Sequence, residues 1–280
     1  MKKILTITAL ALFAQASVAQ DGEENELKNF RFGLKITPSV NWYKPEGKIM
    51  SGNGAGVKFG GGLILEFRLA KVASLQTGIQ IDMDGGKIKY NNGGYNTNGA
   101  NTVNYYYNNP DDEIIEYTTF PPNPSSHTHY QLNERQYKAT YITVPLALKL
   151  KTKEIGTMTY FGQFGVNSSF RWKAKATDKV TVLDAMNYGA TDTKSNVDIT
   201  KDMSFYTAAL NFGGGAEMNL SGSTSLIFGL NYNLGFTNVV KSDSNYLGKQ
   251  TNDANGVPTV SKMPQSIKSN AVVLTIGVLF

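Results

Sequence analysis

The chain has 280 residues, with 27 Lys and Arg against 22 Asp and Glu, and no cysteine. The length suits one or two domains, and the missing cysteines exclude disulfides and thiolate metal sites. The formal charge of +5 is mild and no Lys or Arg cluster stands out, so nucleic acid is not expected as a partner.

The N-terminus reads as a processing signal. Lys2 and Lys3 precede an apolar stretch from Ile4 to Phe13, too short to span a bilayer as a helix. Ser17-Val18-Ala19 places small residues at −3 and −1 of a cut before Gln20. Residues 1–19 are therefore expected to be a cleaved signal peptide, 20–29 a short periplasmic segment, and 30–280 the folded domain. No later segment holds 18 consecutive apolar residues, so hydrophobicity must reside in alternation.

That alternation appears eight times. In residues 30–42 it is Phe30, Phe32, Leu34, Ile36, Val40 and Trp42 against Arg31, Gly33, Lys35, Thr37, Ser39 and Asn41. A strand sends successive side chains to opposite faces, so one face is apolar and the other polar or small. Residues 57–69 set Val57, Phe59, Leu63, Leu65, Phe67 and Leu69 against Lys58, Gly60, Gly62, Glu66 and Arg68. Residues 73–84 set Leu75, Ile79, Ile81 and Met83 against Gln76, Gly78, Gln80, Asp82 and Asp84. Residues 141–150 alternate Ile142, Val144, Leu146, Leu148 and Leu150 with Thr143, Pro145, Ala147 and Lys149. Residues 157–172 follow the same rule, with Arg171 on the polar side and Phe161 breaking it. Residues 205–218, with Glu217 on the polar side, then 224–236 and 271–280 complete the set.

Connections are short around Lys71, through 152–156 and through 219–222, and long elsewhere, the longest covering about 90–137. Short turns on one side and long loops on the other predict an all-β, antiparallel, up-and-down transmembrane barrel of about eight strands, with both termini in the periplasm. Within the longest loop, 113–120 and 130–140 have strand-like composition. The Asn-, Gly- and Tyr-rich tract 90–109 reads as a loosely ordered loop tip.

Periodicity does not say which face points inward; a lipocalin-like soluble barrel also has about eight strands. Volume decides. Eight strands enclose only enough space for side chains to fill, and the apolar face is too bulky for it. Glycines and charges are expected inside, with the apolar face on lipid. Trp42, Tyr43, Phe59, Tyr137, Phe170, Trp172, Phe205, Tyr206 and Phe236 would form one aromatic rim, and Phe30, Phe32, Phe67, Tyr160 and Phe280 the other.

Several segments carry a family resemblance. Tyr141-Ile142-Thr143-Val144-Pro145-Leu146-Ala147-Leu148-Lys149-Leu150 resembles a characteristic strand of the PorT-like outer-membrane β-barrel proteins. Tyr160-Phe161-Gly162-Gln163-Phe164-Gly165, Asn211-Phe212-Gly213-Gly214-Gly215-Ala216-Glu217 and the closing run Val272 to Phe280 are similar to other strands of that family, in the same order. The resemblance implies an outer-membrane barrel of about eight strands and brings no catalytic residues. The family's named member takes part in protein export, a role the resemblance alone does not transfer.

Resemblance to outer-membrane barrels in general makes the terminal Phe280 a candidate signal for the barrel assembly machinery. Arg31, Lys35, Lys58, Glu66, Arg68, Asp82, Asp84, Lys149, Arg171 and Glu217 face inward with both signs and are expected to form a lumen charge network that plugs the barrel. A narrow pore lined by the same residues is the alternative. His127 and His129 would share a strand face, but two ligands make a weak metal site. Asp111-Asp112-Glu113 lacks the ligand spacing of a calcium loop. No G-x-S-x-G motif occurs, although a nucleophile and base could meet in space, as with Ser125 or Ser126 and His127. The expectation is a non-enzymatic protein without cofactor or metal. Its partners would be outer-membrane lipid, the assembly machinery during insertion, and a possible envelope protein met through the long loops. Its role would be accessory or scaffolding; surface adhesion or ligand binding is the alternative.

Overall fold

The computed structural model describes residues 29–91, 101–108, 113–115, 127–183, 187–221, 224–252 and 258–280. The expected signal peptide, the segment before Asn29, and Asp111, Asp112, Ser125 and Ser126 lie outside these residues. The described residues form strands only: β1 (Phe30–Ile36), β2 (Ser39–Glu46), β3 (Met50–Gly52), β4 (Ala55–Lys58), β5 (Gly60–Ala70), β6 (Ala73–Asp84), β7 (Lys87–Tyr90), β8 (Asn101–Asn108) and β9 (Glu113–Ile115). Then follow β10 (His127–Lys151), β11 (Met158–Val182), β12 (Thr191–Asp198), β13 (Tyr206–Ser221), β14 (Thr224–Gly235), β15 (Asp243–Asn252), β16 (Pro258–Pro264) and β17 (Ser266–Leu279).

Eight staves close a ring. β1 with β2, β4 with β5, and β6 with β7 make the first three, each broken by a short irregularity; β10, β11, β13, β14 and β17 are the others. Each is antiparallel to its chain neighbour. The seam is β17 on β1, Gly33 opposite Leu279 through Ile36 opposite Ile276, continuing as β17 on β2. The first stave breaks at Pro38, which has no N–H to donate, but its carbonyl still accepts from Leu274 N at 2.9 Å. The turns at one end are tight, as between Ala70 and Ala73, and Gly156 takes φ +64° in the connection after β10.

The alternation maps onto the two faces of this wall. Leu34, Phe59, Leu146, Phe164 and Leu230 are more than half exposed on the outside, whereas Gln76, Gln80, Thr143, Asn167 and Asn231 are buried inside. An apolar belt of this extent suits hydrocarbon, and a closed ring leaves no backbone group unpaired there. The lumen is narrow enough to dictate composition. A Cβ on Gly215 would lie 2.8 Å from the Phe161 ring and 1.9 Å from the carbonyl oxygen of Phe228. Phe161 is thus the one bulky aromatic of its strand that turns inward, packing with Ile64, Ile227 and Leu279.

The fold departs from the sequence reading above the belt. β10 and β11 run 25 residues each and stay paired from Lys151 and Phe161 up to Tyr130 and Val182. A spanning strand needs about 9–11 residues, so both stand well clear of the membrane. The expected strand character of 130–140 is present as the upper half of β10. The tract read as a loose loop tip is not loose where it is described. Asn101–Asn108 is β8, paired with β10 and β15, and Val103, Tyr105 and Tyr107 are buried. Their two-residue spacing places all three on one face, and burying these side chains outweighs the polarity of Asn104 between them, which is buried too. Tyr43 and Tyr137 also correct the expected aromatic rim. They point inward at 2% and 1% exposure, their rings 5.3 Å apart, while Trp172, Phe205 and Phe236 face out.

Candidate functional site

The lumen holds the polar constellation, in three levels. At the short-turn end, Arg31 from β1, Glu66 from β5, Lys149 and Lys151 from β10 and Glu217 from β13 converge. Arg31 donates to Glu66 and to Glu217, both at 2.8 Å. Lys149 donates to Glu66 at 3.1 Å and also to Glu217; Lys151 bridges the same two carboxylates. All four carboxylate oxygens therefore accept charged donors, and Lys149, fully buried, also sits 4.1 Å from the Phe161 ring centre. Three cations against two carboxylates form a compact plug in which each charged group has an opposite partner and one positive charge is left over, carried towards the partly exposed Arg31 and Lys151.

The middle level is less tightly filled. A cavity of about 90 Å³ is bounded by residues including Thr37, Asn41, Gln80, Asp82, Asp84 and Tyr141. Asp84 accepts from Asn41 at 2.8 Å, Ser269 at 3.0 Å and the backbone of Gly85 at 2.7 Å. Asp82 accepts from Gln80 at 2.5 Å. The hydroxyls of Thr37 and Tyr141 and Oε1 of Gln80 have no protein partner among the described residues, and a polar cavity of this size is where water would satisfy them.

The upper level lies above the belt and is a packed core. Tyr43, Ile88, Tyr105, Leu132, Ile199 and Tyr246 belong to it. At its centre Arg135 and Asp178, both fully buried, form a two-point ion pair at 2.7 and 2.6 Å. Tyr105 donates its hydroxyl to Asp178 at 3.2 Å, and the Arg135 guanidinium lies 4.5 Å from the Tyr246 ring centre. The Tyr90 and Tyr137 hydroxyls meet at 2.8 Å. Burial in this core pushes the Tyr105 hydroxyl well above its ordinary range and holds His129 down to about 4. His129 stacks on Tyr106 with ring centres 4.8 Å apart.

Of the ten residues assigned to one network, the structure brings four into direct contact: Arg31, Glu66, Lys149 and Glu217. Asp82 and Asp84 belong to the middle level, with Lys35 and Lys58 in their field. Arg68 stands at the periplasmic mouth, and Arg171 lies near Tyr141 at the upper boundary. Arg68 lies in the field of the plug without an ion pair to it, and the others stand higher in a long lumen whose levels are separate. Lys151 went unnamed although its odd number puts it on the same face as Lys149. Arg135 lies in the strand-like stretch 130–140 of the longest loop and Asp178 in the connection after 157–172, and neither position marks an inward charge by alternation alone. Phe280 closes the seam: its N–H donates to the Phe32 carbonyl at 2.8 Å and the two rings pack in a tilted pair with centres 5.6 Å apart. His127 and His129 share a strand, and the described residues contain no group of three His, Cys, Asp or Glu able to hold a metal.

A family model described as an outer membrane protein beta-barrel domain matches residues 13–241, most of the chain. The chain belongs to this family. It is an outer-membrane β-barrel protein, with ring closure extending past the matched region to Leu279. Solved structures similar to this barrel include Neisserial surface protein A, at 9% identity and TM-score 0.36 over 90% of this chain and 96% of the other. OprG of Pseudomonas aeruginosa matches at 12% and 0.37, over 90% and 97%. Ail of Yersinia pestis matches at 9% and 0.34, over 90% and 100%. No curated protein matches the sequence.

Proposed function

We propose that this barrel is a non-conducting, non-enzymatic scaffold of the PorT-like kind, which offers its extracellular β-extension to another envelope protein in assembly, secretion or surface contact. One observation carries the reading: the lumen is filled at two heights, by the Arg31–Glu66–Lys149–Lys151–Glu217 plug below and by the aromatic core around Arg135 and Asp178 above. A lumen so occupied is poorly suited to transport. A protruding, internally packed β-extension is suited to holding a partner, because its surface is already ordered before contact. His129 packed against Tyr106 supports a structural role for that ring rather than a base facing substrate. The reading includes export by a signal peptide cut before Gln20, residence in the outer membrane, and insertion by an assembly machinery that recognises the strand ending in Phe280.

Two measurements test it. Purified protein in planar bilayers is expected to show no stable open steps, and steady conductance would refute the plugged lumen. Purification in mild detergent is expected to retain an envelope protein in stoichiometric amount. A lone barrel that binds external protein or glycan would replace scaffolding with adhesion.

A further inference from the structure

A patch of four lysines stands on the outer wall directly above the aromatic rim. Lys138 on β10 lies opposite Lys175 on β11, and Thr140 lies opposite Lys173. Lys87 on β7 lies opposite Gln136, diagonal to Lys138. Directly opposed side chains have Cβ atoms about 5 Å apart and diagonal ones about 7–8 Å, so four cations share one small area on three adjacent strands. Lys138, Lys173 and Lys175 are exposed and Lys87 is half-buried. Among the described residues no carboxylate forms an ion pair with any of the four; the nearest opposing charge by register is Asp198, opposite Lys175 on β12.

Two features make this arrangement more than a solvated surface. Like charges placed directly opposite on a sheet are destabilising unless something offsets them. A β-bulge between Thr140 and Tyr141 also inserts Trp172 as an extra residue in β11. Below the bulge the even residues face out, as Phe170 and Trp172 do; above it Lys173 and Lys175 do, with Ala174 and Ala176 buried between them. Without the extra residue both lysines would point into the upper core. The bulge therefore sets an exposed Trp, at the level where rings meet headgroups, immediately beneath outward cations.

We propose that Lys87, Lys138, Lys173 and Lys175 bind a phosphate-bearing lipid headgroup of the outer leaflet, with Trp172 seated beside its acyl chains. The occupant is a lipid because the patch continues the apolar belt without a break: Ile142 stands outward below Thr140 on β10, and Phe170 and Trp172 stand below Lys173 on β11. A soluble phosphate would make no use of that continuity.

The test uses the full-length mature protein folded in zwitterionic micelles, with Trp42→Phe leaving Trp172 as the sole indole. Lipid A carrying its two phosphates is titrated in and the indole emission followed, with dephosphorylated lipid A and inorganic phosphate as separate arms. K138Q/K173Q/K175Q is expected to weaken binding of the phosphorylated lipid by roughly 100-fold, at about fivefold per charge removed. K48Q/K179Q/K249Q removes the same charge elsewhere on the extension and is expected to change it by less than about threefold. Equal losses in the two triple variants would reduce the effect to net charge and overturn the site. Equal binding of the dephosphorylated lipid, or an unchanged K138Q/K173Q/K175Q, would overturn it too, and so would equal affinity for inorganic phosphate alone. Heat-modifiable mobility on gels confirms that each variant is folded before it is scored.

Discussion

Glu217 shows how much rests on single side chains in a lumen this narrow. Its two oxygens accept from Arg31, Lys149 and Lys151, and Lys149 has no exposure to water. Removing one partner from a buried ionic cluster leaves an uncompensated charge, at a cost of about 3–5 kcal/mol. E217A is therefore expected to lower the urea midpoint of the refolded barrel in micelles. E217Q, which keeps the shape and some hydrogen bonds, should cost less. The Arg135–Asp178 pair obeys the same rule in a different place. D178A should destabilise the extension by about 3–5 kcal/mol and open it to protease, while R135M/D178L should cost less, since it removes both buried charges and leaves only the Tyr105 hydroxyl without its acceptor. If D178A is as protease-resistant as the parent, the pair does not hold the extension together. Both clusters differ in legibility. Arg31, Glu66, Lys149 and Glu217 sit in clean alternation on strands that the sequence reveals, so their shared face could be read. Which of the ten inward charges would touch depends on height along the lumen, and height depends on stagger between strands, which alternation does not encode.

At the scale of elements, the eight spanning segments were legible because lipid imposes one strict rule, apolar at every second position. Above the belt that rule lapses. The upper halves of β10 and β11 carry Lys138, Lys173, Lys175 and Lys179 outward and Tyr137, Ala139, Ala174, Ala176 and Val180 inward, with bulges at Leu132/Glu134 and Thr140/Tyr141 shifting the phase. Small apolar residues and tyrosines then make the inner face; composition still marks 130–140 as strand-like, but it does not mark the upper half of β11 or show that the two pair. β8 is the extreme case: Tyr105 and Tyr107 are core, and only partners far along the chain, β10 and β15, make them so. The His129 imidazole lies in this region, held down to about 4 by burial, against about 6.5 in an unfolded chain. Between those values the unfolded segment binds more protons than the folded one, so stability falls as pH drops through the window and is fully present above about 6.5. Hydrogen exchange of the upper half of β10, corrected for intrinsic rate, should accelerate from pH 7 to pH 4.5, and H129F should flatten that dependence. A dependence identical in H129F would assign it to other groups.

The whole molecule is defined by which of its two faces meets solvent, and that is where the barrel differs from a soluble one of equal strand number. Phe32, Leu34, Ile79, Leu146, Phe164 and Leu230 form part of a continuous outer belt, while the interior holds glycine, amide and charge. In water this would be a large exposed apolar patch; in a bilayer it is the low-energy arrangement, because the ring satisfies its own backbone. Hydrocarbon also imposes a depth profile that water does not. A lysine on the outer face costs about 2–4 kcal/mol at the bilayer midplane and about 0–1 near the headgroups. β14 supplies a ladder for measuring it, since Leu230 lies mid-belt and Phe236 follows the strand at the upper rim, both on the outer face. L230K is expected to lower the unfolding free energy in phospholipid vesicles by an amount in the upper range, and F236K by an amount in the lower one. Equal costs at the two depths, or a gain in solubility without detergent from L230K, would mean that the outer face meets water and that the belt is the surface of some other assembly.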